Sequence, residues 1–479
     1  MSKILFRSLI CMAAISAFVS CDNDDIYIGG ADDSIIQSPQ GNVVYLTDGD
    51  GHSNVGFAEF KESYTMDLYL RSSKAIEGSA SATLKYDLSV LDAYNAASGS
   101  EVAAFPQASV ILPDDGKITI SAGSISSDAY KLEFKSNTDL DPETTYAVPL
   151  SVTPENAAMA GGENSFIVLV RDCTKFPGTE KFYEGKPGMK IVGVIEVNDV
   201  NPLNVMGFTL KESGKQFFDV VVLFSANINY NSQTGRVYVS RNENVQALLD
   251  QREKYIKPLQ ERGIKVVLGI LGNHDISGIS TLKPELAKAF ASEVKNLCDA
   301  YELDGVFLDD EYTNYDEAAN TTIPGFQAQS TEAASRMAYE IRKAQPSRLL
   351  VSYRYEALYS AVDVDGMNPG EIFDLVLNDY GVTSNPVSTY PGLSISQAGT
   401  GSWNCSDYMQ WIPANGNYSS RFSLDGMREE GYGALMIFNF TCNPGYWMTP
   451  YIVNDMKKTT ISFWNAELEY DNSWYNKDY

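Results

Sequence analysis

Three consecutive carboxylates followed by a tyrosine form the stretch best suited to chemistry, Asp309, Asp310, Glu311 and Tyr312. The apolar run 306–308 precedes them, and a short apolar run opened by Asp-Gly is typical of a buried strand of a parallel sheet. Because side chains alternate along a strand, Asp309 and Glu311 are expected on one side and Asp310 on the other. At a rise of about 3.3 Å per residue this pair lies roughly 6 to 7 Å apart. Such a pair titrates together and holds a proton near neutral pH, which favours general acid catalysis.

The same acids also have a purely structural interpretation. Carboxylates just beyond a strand end often solubilise a loop or cap the N-terminus of a helix. This segment alone supports the catalytic and the structural interpretation equally. The strands and helices that position the acids must therefore decide between the two.

The composition of the chain narrows the possible functions. Its 479 residues are enough for two or three domains, and 44% hydrophobic content is that of an ordinary globular protein. The formal net charge is −26 and no basic cluster occurs, which argues against a nucleic-acid partner. Twenty-nine tyrosines and five tryptophans favour carbohydrate, since aromatic faces stack on sugar rings.

Histidine and cysteine usage excludes several kinds of catalytic site. The only histidines are His52 and His274, so a Ser-His-Asp hydrolase or a His-Glu-x-x-His zinc protease has little to work with. No Cys-x-x-Cys spacing exists, which argues against a structural zinc site.

The first 39 residues predict export and a lipid anchor. Lys3 and Arg7 precede the apolar run 8–19, and together they are typical of a signal peptide over residues 1–20. The residues ending in Cys21 resemble the lipobox of bacterial lipoproteins, which implies lipidation of Cys21. The acidic start of the tether 21–39 resembles the tag that sends such lipoproteins to the cell surface in some Gram-negative bacteria. A cleaved signal with a free cysteine is the alternative, and the apolar run is too short to span about 30 Å of hydrocarbon.

Residues 40–172 predict an all-β domain. Apolar and polar residues alternate in four segments, and a fifth is continuously apolar: 64–70, 84–90, 117–120, 131–134 and 166–170. Short strands separated by turns rich in Asp, Gly, Pro and Ser favour a sandwich. It resembles the small β-sandwich that often precedes glycan hydrolases on bacterial surface lipoproteins. No chemical constellation occurs in it, so a spacer is favoured over an accessory binding module.

After a linker at 173–187, residues 188–479 predict a (β/α)8 TIM barrel. Eight segments have the composition of buried strands: 190–197, 218–225, 266–271, 306–309, 349–353, 373–377, 393–397 and 434–440. Segments with helical spacing lie between them, at 245–261, 283–301 and 331–344. A doubly wound sheet is the alternative, but it seldom needs eight strands. Catalytic groups of such barrels lie at the C-terminal strand ends, and Asp309 and Glu311 end the fourth strand.

Other predicted strand ends carry neutral polar side chains. They are Asn227 and Asn229 after the second strand, Asn273 and His274 after the third, Asn378 and Tyr380 after the sixth, and Asn439 after the eighth. With Tyr312, they predict a binding rim for a neutral ligand rich in hydroxyl groups. For any single residue, loop capping or an Asx turn is an equally good explanation.

The barrel half resembles glycoside hydrolase family 18, and within it the endo-β-N-acetylglucosaminidases of the H and F type. Five stretches in barrel order carry the resemblance: 218–230, 242–245, 263–266, 271–274 and 303–312. The chitinase form of the motif is Asp-x-x-Asp-x-Asp-x-Glu, and here Phe307 replaces the middle aspartate. This replacement disfavours a chitinase, whereas the endoglycosidase branch, in which Asp-Asp-Glu-Tyr is typical, tolerates it.

The resemblance implies a retaining hydrolysis without a protein nucleophile. Glu311 is expected to be the acid and then the base, while the 2-acetamido group of the sugar attacks its own anomeric carbon. Asp309 is expected to orient that amide, Tyr380 to hold its oxygen, and Asn378 to be a second contact. No metal or organic cofactor is required.

The substrate implied is the GlcNAc-β-1,4-GlcNAc core of N-linked glycans, of the high-mannose or hybrid type, cleaved by a monomeric enzyme. One alternative is a chitinase-type hydrolase of the same family. The other is a non-catalytic surface glycan-binding protein, although such lectins usually lose the glutamate that is present here as Glu311. Cys405 and Cys442 are expected on the same rim, and a disulfide and two free thiols remain equally open.

Overall fold

The computed structural model describes residues 41–162, 164–407 and 423–479. The described chain divides into two compact units. The first extends to Glu59 and includes Ser63–Ser136 and Thr144–Arg171; the second comprises Phe60–Glu62, Asn137–Glu143 and Asp172–Tyr479. The predicted signal peptide, tether and lipidation site at Cys21 lie outside the described residues. Within the described ranges, no helix combines the length and apolar character that a membrane span requires.

The first unit is a β-sandwich, as predicted. Its strands are β1 (Val43–Asp48), β2 (Val55–Phe60), β3 (Tyr64–Arg71), β4 (Ala80–Tyr86), β5 (Ala103–Ala104), β6 (Val110–Ile111), β7 (Lys117–Ile120), β8 (Tyr130–Phe134), β9 (Tyr146–Glu155), β10 (Ala158–Met159) and β11 (Ser165–Asp172). One sheet has the order β10-β1-β3-β8-β6, and the other β2-β11-β9-β4-β7 with β5 beside β9. Alternating apolar residues of both sheets are buried, as in Leu68, Leu70, Val148 and Leu150.

This unit contains one helix that the all-β prediction missed, α1 (Leu88–Ser98). The prediction of a strand over 84–90 is therefore wrong at its C-terminal half. Asp87 caps the helix by accepting a hydrogen bond from the backbone of Ser89, and Gly99 ends it in a left-handed conformation. The alternating apolar residues Leu88 and Val90 match the pattern of a strand. The capping residues at both ends nevertheless stabilise a helix here.

The second unit is a closed parallel barrel, which confirms the predicted fold. Its eight strands are β14 (Lys190–Glu196), β16 (Val220–Asn231), β18 (Lys265–Leu271), β19 (Gly305–Leu308), β20 (Leu349–Arg354), β21 (Leu375–Asn378), β22 (Ala398–Gly399) and β24 (Ala434–Phe438). They pair in chain order, and β24 closes the barrel on β14 through the register Ile191 to Leu435. The remaining strands are β12 (Phe182–Tyr183), β13 (Lys186–Pro187), β15 (Phe208–Leu210), β17 (Arg236–Ser240), β23 (Trp403–Asn404) and β25 (Leu468–Tyr470).

Helices follow most barrel strands. They are α2 (Glu243–Asp250), α3 (Arg252–Tyr255), α4 (Lys257–Glu261), α5 (Pro284–Ala300), α6 (Tyr315–Asn320), α7 (Thr331–Ala344), α8 (Pro369–Ile372), α9 (Leu424–Glu430) and α10 (Thr449–Trp464). The segment 331–344 is predicted with its observed bounds. Segment 245–261 is three short helices, because Pro258 stands at the start of the last of them and cannot donate a helical hydrogen bond.

Two predictions about this unit need correction. Residues 393–397 are not the seventh strand; that strand is the two-residue β22, preceded by a 3₁₀ turn at Ile395–Gln397. The segment 173–187 is not an open linker, because Lys181 is buried and its ammonium donates to Asp219 at 2.9 Å. A buried cation needs such a partner, so the segment is an integral part of the barrel base.

The barrel interior is filled by one apolar cluster that ends in a polar layer. Inward-facing residues of this cluster include Val194 on β14, Phe307 on β19 and Leu377 on β21. Because side chains alternate, the residue two positions beyond each of them faces the same way, into the C-terminal opening of the barrel. Those residues are Glu196, Asp309 and Asp379. Three carboxylates from three strands therefore face the barrel mouth.

Candidate active site

The chain beyond β19 is held against the chain beyond β18. The backbone N–H of Gly272 donates to the carbonyl of Glu311 at 2.9 Å, and that of His274 donates to the carbonyl of Tyr312 at 2.5 Å. Only glycine fits at 272, since a Cβ atom there lies 2.5 Å from the Glu311 carbonyl oxygen. These contacts fix the backbone of the acidic stretch to the rigid barrel.

Asp309 is the most deeply buried acid of the mouth, with 1% of its surface exposed. Its Oδ1 atom is buried and has no hydrogen-bond partner among the described residues. Burial raises the pKa of the Asp309 carboxyl well above its usual value, and the negative charges of Glu311, Asp310, Asp379 and Glu196 raise it further. An unpaired buried oxygen of this kind is costly, and it marks the place where a ligand donor is missing.

Glu311 is half-buried beside the opening. Partial burial raises the pKa of its carboxyl, and Asp379, Glu356 and Asp310 add to the effect in that order. The charged groups that act on Glu311 are thus all acidic. A carboxyl that keeps its proton toward neutral pH is suited to donate it to a leaving oxygen.

Asp310 points away from this pair and is saturated with hydrogen bonds. Its carboxylate accepts from the Ser280 hydroxyl at 2.9 Å, the Gln329 amide at 3.2 Å and the backbone of Ala357 at 3.1 Å. The Tyr315 hydroxyl is 3.3 Å from the same carboxylate. This network joins the loops after the third, fourth and fifth strands, so Asp310 holds the rim together.

Tyrosines of the fifth and sixth strands border the acids. Tyr380 is 37% exposed at the end of β21, and its ring centroid lies 5.8 Å from that of Phe438. Tyr353 stacks on Phe307 at 5.9 Å, and its hydroxyl donates to the Asp379 carboxylate. The floor of the site is therefore aromatic, with polar groups only at its upper edge.

Asn378 does not face a ligand, which corrects the prediction that it is a sugar contact. It is fully buried, and its amide donates to the carbonyls of Val382 and Ser384 at 3.2 and 2.7 Å. Its own oxygen accepts from the Arg354 guanidinium at 2.9 Å. Asn378 instead shapes the loop that carries Tyr380.

The second and third strand ends form a separate polar group. Strand β16 runs on past the barrel as a hairpin with β17, so Asn227 and Asn229 lie within a strand and not in a loop. Asn227 donates to the Gly272 carbonyl at 3.0 Å, and Asn229 donates to Asp275 at 3.0 Å. Asn273 in turn donates to Asn229 at 3.1 Å. Of these amides only Asn273 is exposed, so the other two mainly brace the hairpin.

His274 and Tyr312 form an exposed aromatic pair directly beside Glu311. Their ring centroids are 5.4 Å apart at an interplanar angle of 68°. Both have positive φ, 60° and 56°, a conformation that costs about 1 kcal/mol or more for a bulky residue. The structure thus places both rings where the sequence predicts sugar contacts.

The eighth strand end carries the last predicted contact. Asn439 is partly buried and donates from its amide to the Ser406 hydroxyl. Cys405 and Cys442 are both buried nearby, and no disulfide joins the cysteines of the described residues. Among those residues, the groups of side chains close enough to share a metal ion include neither Asp309 nor Glu311.

Two acids of the mouth, Glu196 and Asp379, are absent from the sequence prediction. Glu196 ends β14 half-buried, and burial together with Asp199 raises the pKa of its carboxyl to about 7. A signal for both exists in the sequence, because each stands two residues beyond an apolar inward-facing residue of a predicted strand.

Comparisons with known proteins identify the barrel. Endo-β-N-acetylglucosaminidase F1 of Elizabethkingia meningoseptica is 44% identical to this chain over 296 residues, which are 61% of this chain and 84% of that protein. The chain belongs to the endo-β-N-acetylglucosaminidases of glycoside hydrolase family 18. An endo-β-N-acetylglucosaminidase of a Flavobacterium species is 33% identical over 270 residues, 56% of this chain and 79% of that enzyme. The family resemblance read from the five barrel stretches is confirmed.

Solved structures extend the similarity over most of the chain, including the region before the barrel. EndoBT-3987 of Bacteroides thetaiotamicron, solved with a Man5GlcNAc product, is 32% identical with a TM-score of 0.55, covering 91% of this chain and 97% of that one. The same enzyme is also known in complex with a Man9GlcNAc2Asn substrate. A family model described as an N-terminal domain matches residues 38–159 of the sandwich region.

Proposed function

We propose that this endo-β-N-acetylglucosaminidase hydrolyses the GlcNAc-β-1,4-GlcNAc bond in the core of N-linked glycans, with Glu311 as acid and base and Asp309 as its electrostatic partner. The observation that carries the proposal is the buried Oδ1 of Asp309, which has no hydrogen-bond partner among the described residues, close to Glu311, whose pKa is raised by burial and by neighbouring carboxylates. An acetamido N–H of the substrate supplies the donor that this oxygen lacks. That hydrogen bond favours the ionised form of Asp309 and so leaves the shared proton with Glu311.

The reaction proceeds in two steps through the substrate's own amide. Glu311 gives its proton to the glycosidic oxygen as the bond from that oxygen to the anomeric carbon breaks. The acetamido carbonyl oxygen forms a bond to the same carbon, which gives a cyclic oxazolinium ion. Ionised Asp309 stabilises the positive charge of this ion. Tyr380, half-exposed at the edge of the pocket, holds the acetamido oxygen in line.

Water completes the cycle. It adds to the anomeric carbon, Glu311 takes its proton, and the bond to the acetamido oxygen breaks, which restores the amide. Two inversions at one carbon retain its configuration. Protonated Glu311 is regenerated without a cofactor.

The ligands of EndoBT-3987 support high-mannose or hybrid glycans as substrates of this enzyme. The exposed rings of His274 and Tyr312 and the amide of Asn273 provide sugar contacts on the side of Glu311 that faces the second and third strands. We further propose that the mature protein is a monomer anchored by a lipid at Cys21, on the outer membrane and facing outward. The acidic residues after Cys21 support surface export.

A digest of two glycoproteins, one with high-mannose and one with complex glycans, tests the function. Release that leaves a single GlcNAc on the asparagine of the high-mannose protein, read by mass, is the expected result. The Glu311→Gln variant is the matched control and should leave the glycans attached. Cleavage of chitin oligosaccharides with intact glycoprotein would instead favour the chitinase alternative, and binding without cleavage would favour a lectin.

A further inference from the structure

Asp379 is an acid of the mouth that the two-step reaction does not use. It follows Leu377, an inward-facing residue of the barrel interior, by two positions, so its carboxylate faces the mouth. It also directly precedes Tyr380 in the chain. Its place at the end of the sixth strand is therefore inside the barrel mouth.

Tyr353 fixes the position of that carboxylate. The hydroxyl of Tyr353 donates to Asp379, and its ring is clamped between Phe307 and Phe438, with both ring centroids 5.9 Å away. Register pairs Tyr353 with Leu377 on the neighbouring strand, so the hydroxyl extends up alongside Asp379. This hydrogen bond holds the Asp379 carboxylate in place inside the mouth.

We propose that Asp379, held by the hydroxyl of Tyr353, is a positioning residue whose negative charge keeps the proton on Glu311 until the glycosidic bond breaks. The inference rests on the proposed role of Glu311 as the acid. Asp379 does not touch the glycosidic oxygen in this scheme and acts only through Glu311.

The electrostatics of the mouth agree with this geometry. After burial, Asp379 is the strongest influence that raises the pKa of Glu311. Glu356 from the loop after the fifth strand and Asp310 from the same strand end act in the same direction. The negative charge of Glu311 in turn contributes to the raised pKa of the Tyr312 and Tyr355 phenols.

The sign of the effect on the pH profile follows directly. Glu311 must be protonated in the enzyme–substrate complex, so the alkaline limb of kcat reports its pKa. Removing the charge of Asp379 lowers that pKa, and the limb moves to lower pH. Asp379→Asn should therefore shift the limb by about one unit, which is about a tenfold loss of kcat on the alkaline side, since one unit is about 1.4 kcal/mol. Activity on the acid side should stay within about threefold of wild type.

Two further variants make the test specific. Tyr353→Phe removes the hydroxyl that holds the Asp379 carboxylate in place and should shift the same limb in the same direction by less. Asp316→Asn removes an equal charge from an exposed acid in α6 and should leave the limb unchanged. Tyr353→Phe also replaces Asp379→Asn as the test if the latter does not fold by circular dichroism.

Three outcomes separate the possibilities. A limb shift with unchanged KM supports the proposal. Equal loss of kcat at every pH, or an unshifted limb in both variants, overturns it and leaves Asp379 with a structural role only. If Glu311→Gln itself keeps wild-type activity, the proposed acid is wrong, and the failure then lies in the proposed function and not in the role of Asp379.

Discussion

The Oδ1 atom of Asp309 is buried and has no hydrogen-bond partner among the described residues. Leaving such an atom without a partner costs about 1 to 3 kcal/mol, and the neighbouring acids increase the cost of its charge. Stability alone would favour a neutral residue here. The retention of the carboxyl is explained by a substrate that supplies both the missing N–H and the positive charge.

Glu311→Gln removes the transferable proton and keeps the shape of the side chain. Turnover should fall by roughly 10² to 10⁴-fold, because general acid catalysis contributes about that much. Binding of the intact glycan should be largely unchanged. Single-turnover kinetics with isothermal titration would measure both, and a variant retaining more than about a hundredth of the rate would contradict the acid role.

Asp309→Asn separates activity from stability. The rate should drop by about a hundredfold or more, because the oxazolinium ion loses its stabilising charge. The pKa of Asp309 is raised in the folded protein, so the contribution of this group to wild-type stability is fully present below its ordinary pKa of about 4 and is lost as the pH rises through the raised value. The asparagine variant cannot ionise at this position, so it does not lose stability in this way as the pH rises.

Thermal unfolding of wild type and Asp309→Asn between pH 4 and pH 8 would check that difference. A variant midpoint that falls with pH as steeply as that of the wild type would show that another group is responsible. An unchanged rate would refute the substrate-assisted assignment.

At the scale of elements, the C-terminal ends of the barrel strands position the site. A buried ion pair between Lys181 and Asp219 stabilises the opposite end of the barrel. Lys181 precedes β14, and its ammonium also donates to the carbonyls of Gln216 and Phe217 while it lies 4.7 Å from the Trp464 ring. Asp219 accepts in addition from the backbone of Ile191 in β14. The pair thus joins the first two barrel strands at the end opposite the acids.

Lys181→Met should destabilise the protein by about 3 to 5 kcal/mol, because it leaves the Asp219 charge buried without its partner. Lys211→Met is the matched control. It breaks an ion pair with Glu467 of the same length, 2.9 Å, whose side chains are 61% and 70% exposed, and it should leave the unfolding midpoint nearly unchanged. Equal midpoints for the two variants in urea would contradict this account of the barrel base.

Much of the barrel can be predicted because long apolar strands alternate with amphipathic helices. The strands containing Val194, Phe307 and Leu377 carry a clear signal, and the ends of these strands locate the site. The seventh strand cannot be predicted in the same way, since it consists only of Ala398 and Gly399. Two residues are too few to show an alternating pattern, and both have small side chains. The second strand is longer than predicted, because it continues through Asn227 into a hairpin with β17. The predicted strand ends before Asn227 and so misses this extension.

The site itself is only partly legible in the sequence. Asp309 and Glu311 belong to one motif, whereas Glu196 and Asp379 lie on other strands and come near Asp309 only when the barrel closes. Asn378 shows the opposite error, since its place at a strand end is right but its polar atoms are consumed by its own loop. Which side of a loop residue is free depends on loop geometry that no local pattern specifies.

At the scale of the whole molecule, the chain combines a sandwich, a catalytic barrel and a strongly acidic composition with a net charge of −26. A lipid anchor at Cys21 would hold both units at a membrane surface. Cys21→Ser should move the protein from the membrane fraction to the soluble fraction of its host, while activity on soluble glycoprotein is unchanged. Cell fractionation with surface protease digestion checks this, and a variant that stays in the membrane fraction would rule out the anchor.

The packing of Phe307 limits which residues the barrel interior can accept at this position. Its ring packs on Tyr353 at 5.9 Å and on Phe224 at 6.3 Å, inside the apolar cluster of the barrel interior. A mutation to aspartate, which would restore the chitinase motif, buries a charge beside these two rings and leaves a void. Restoring the chitinase motif at position 307 alone is therefore expected to destabilise the interior of this barrel.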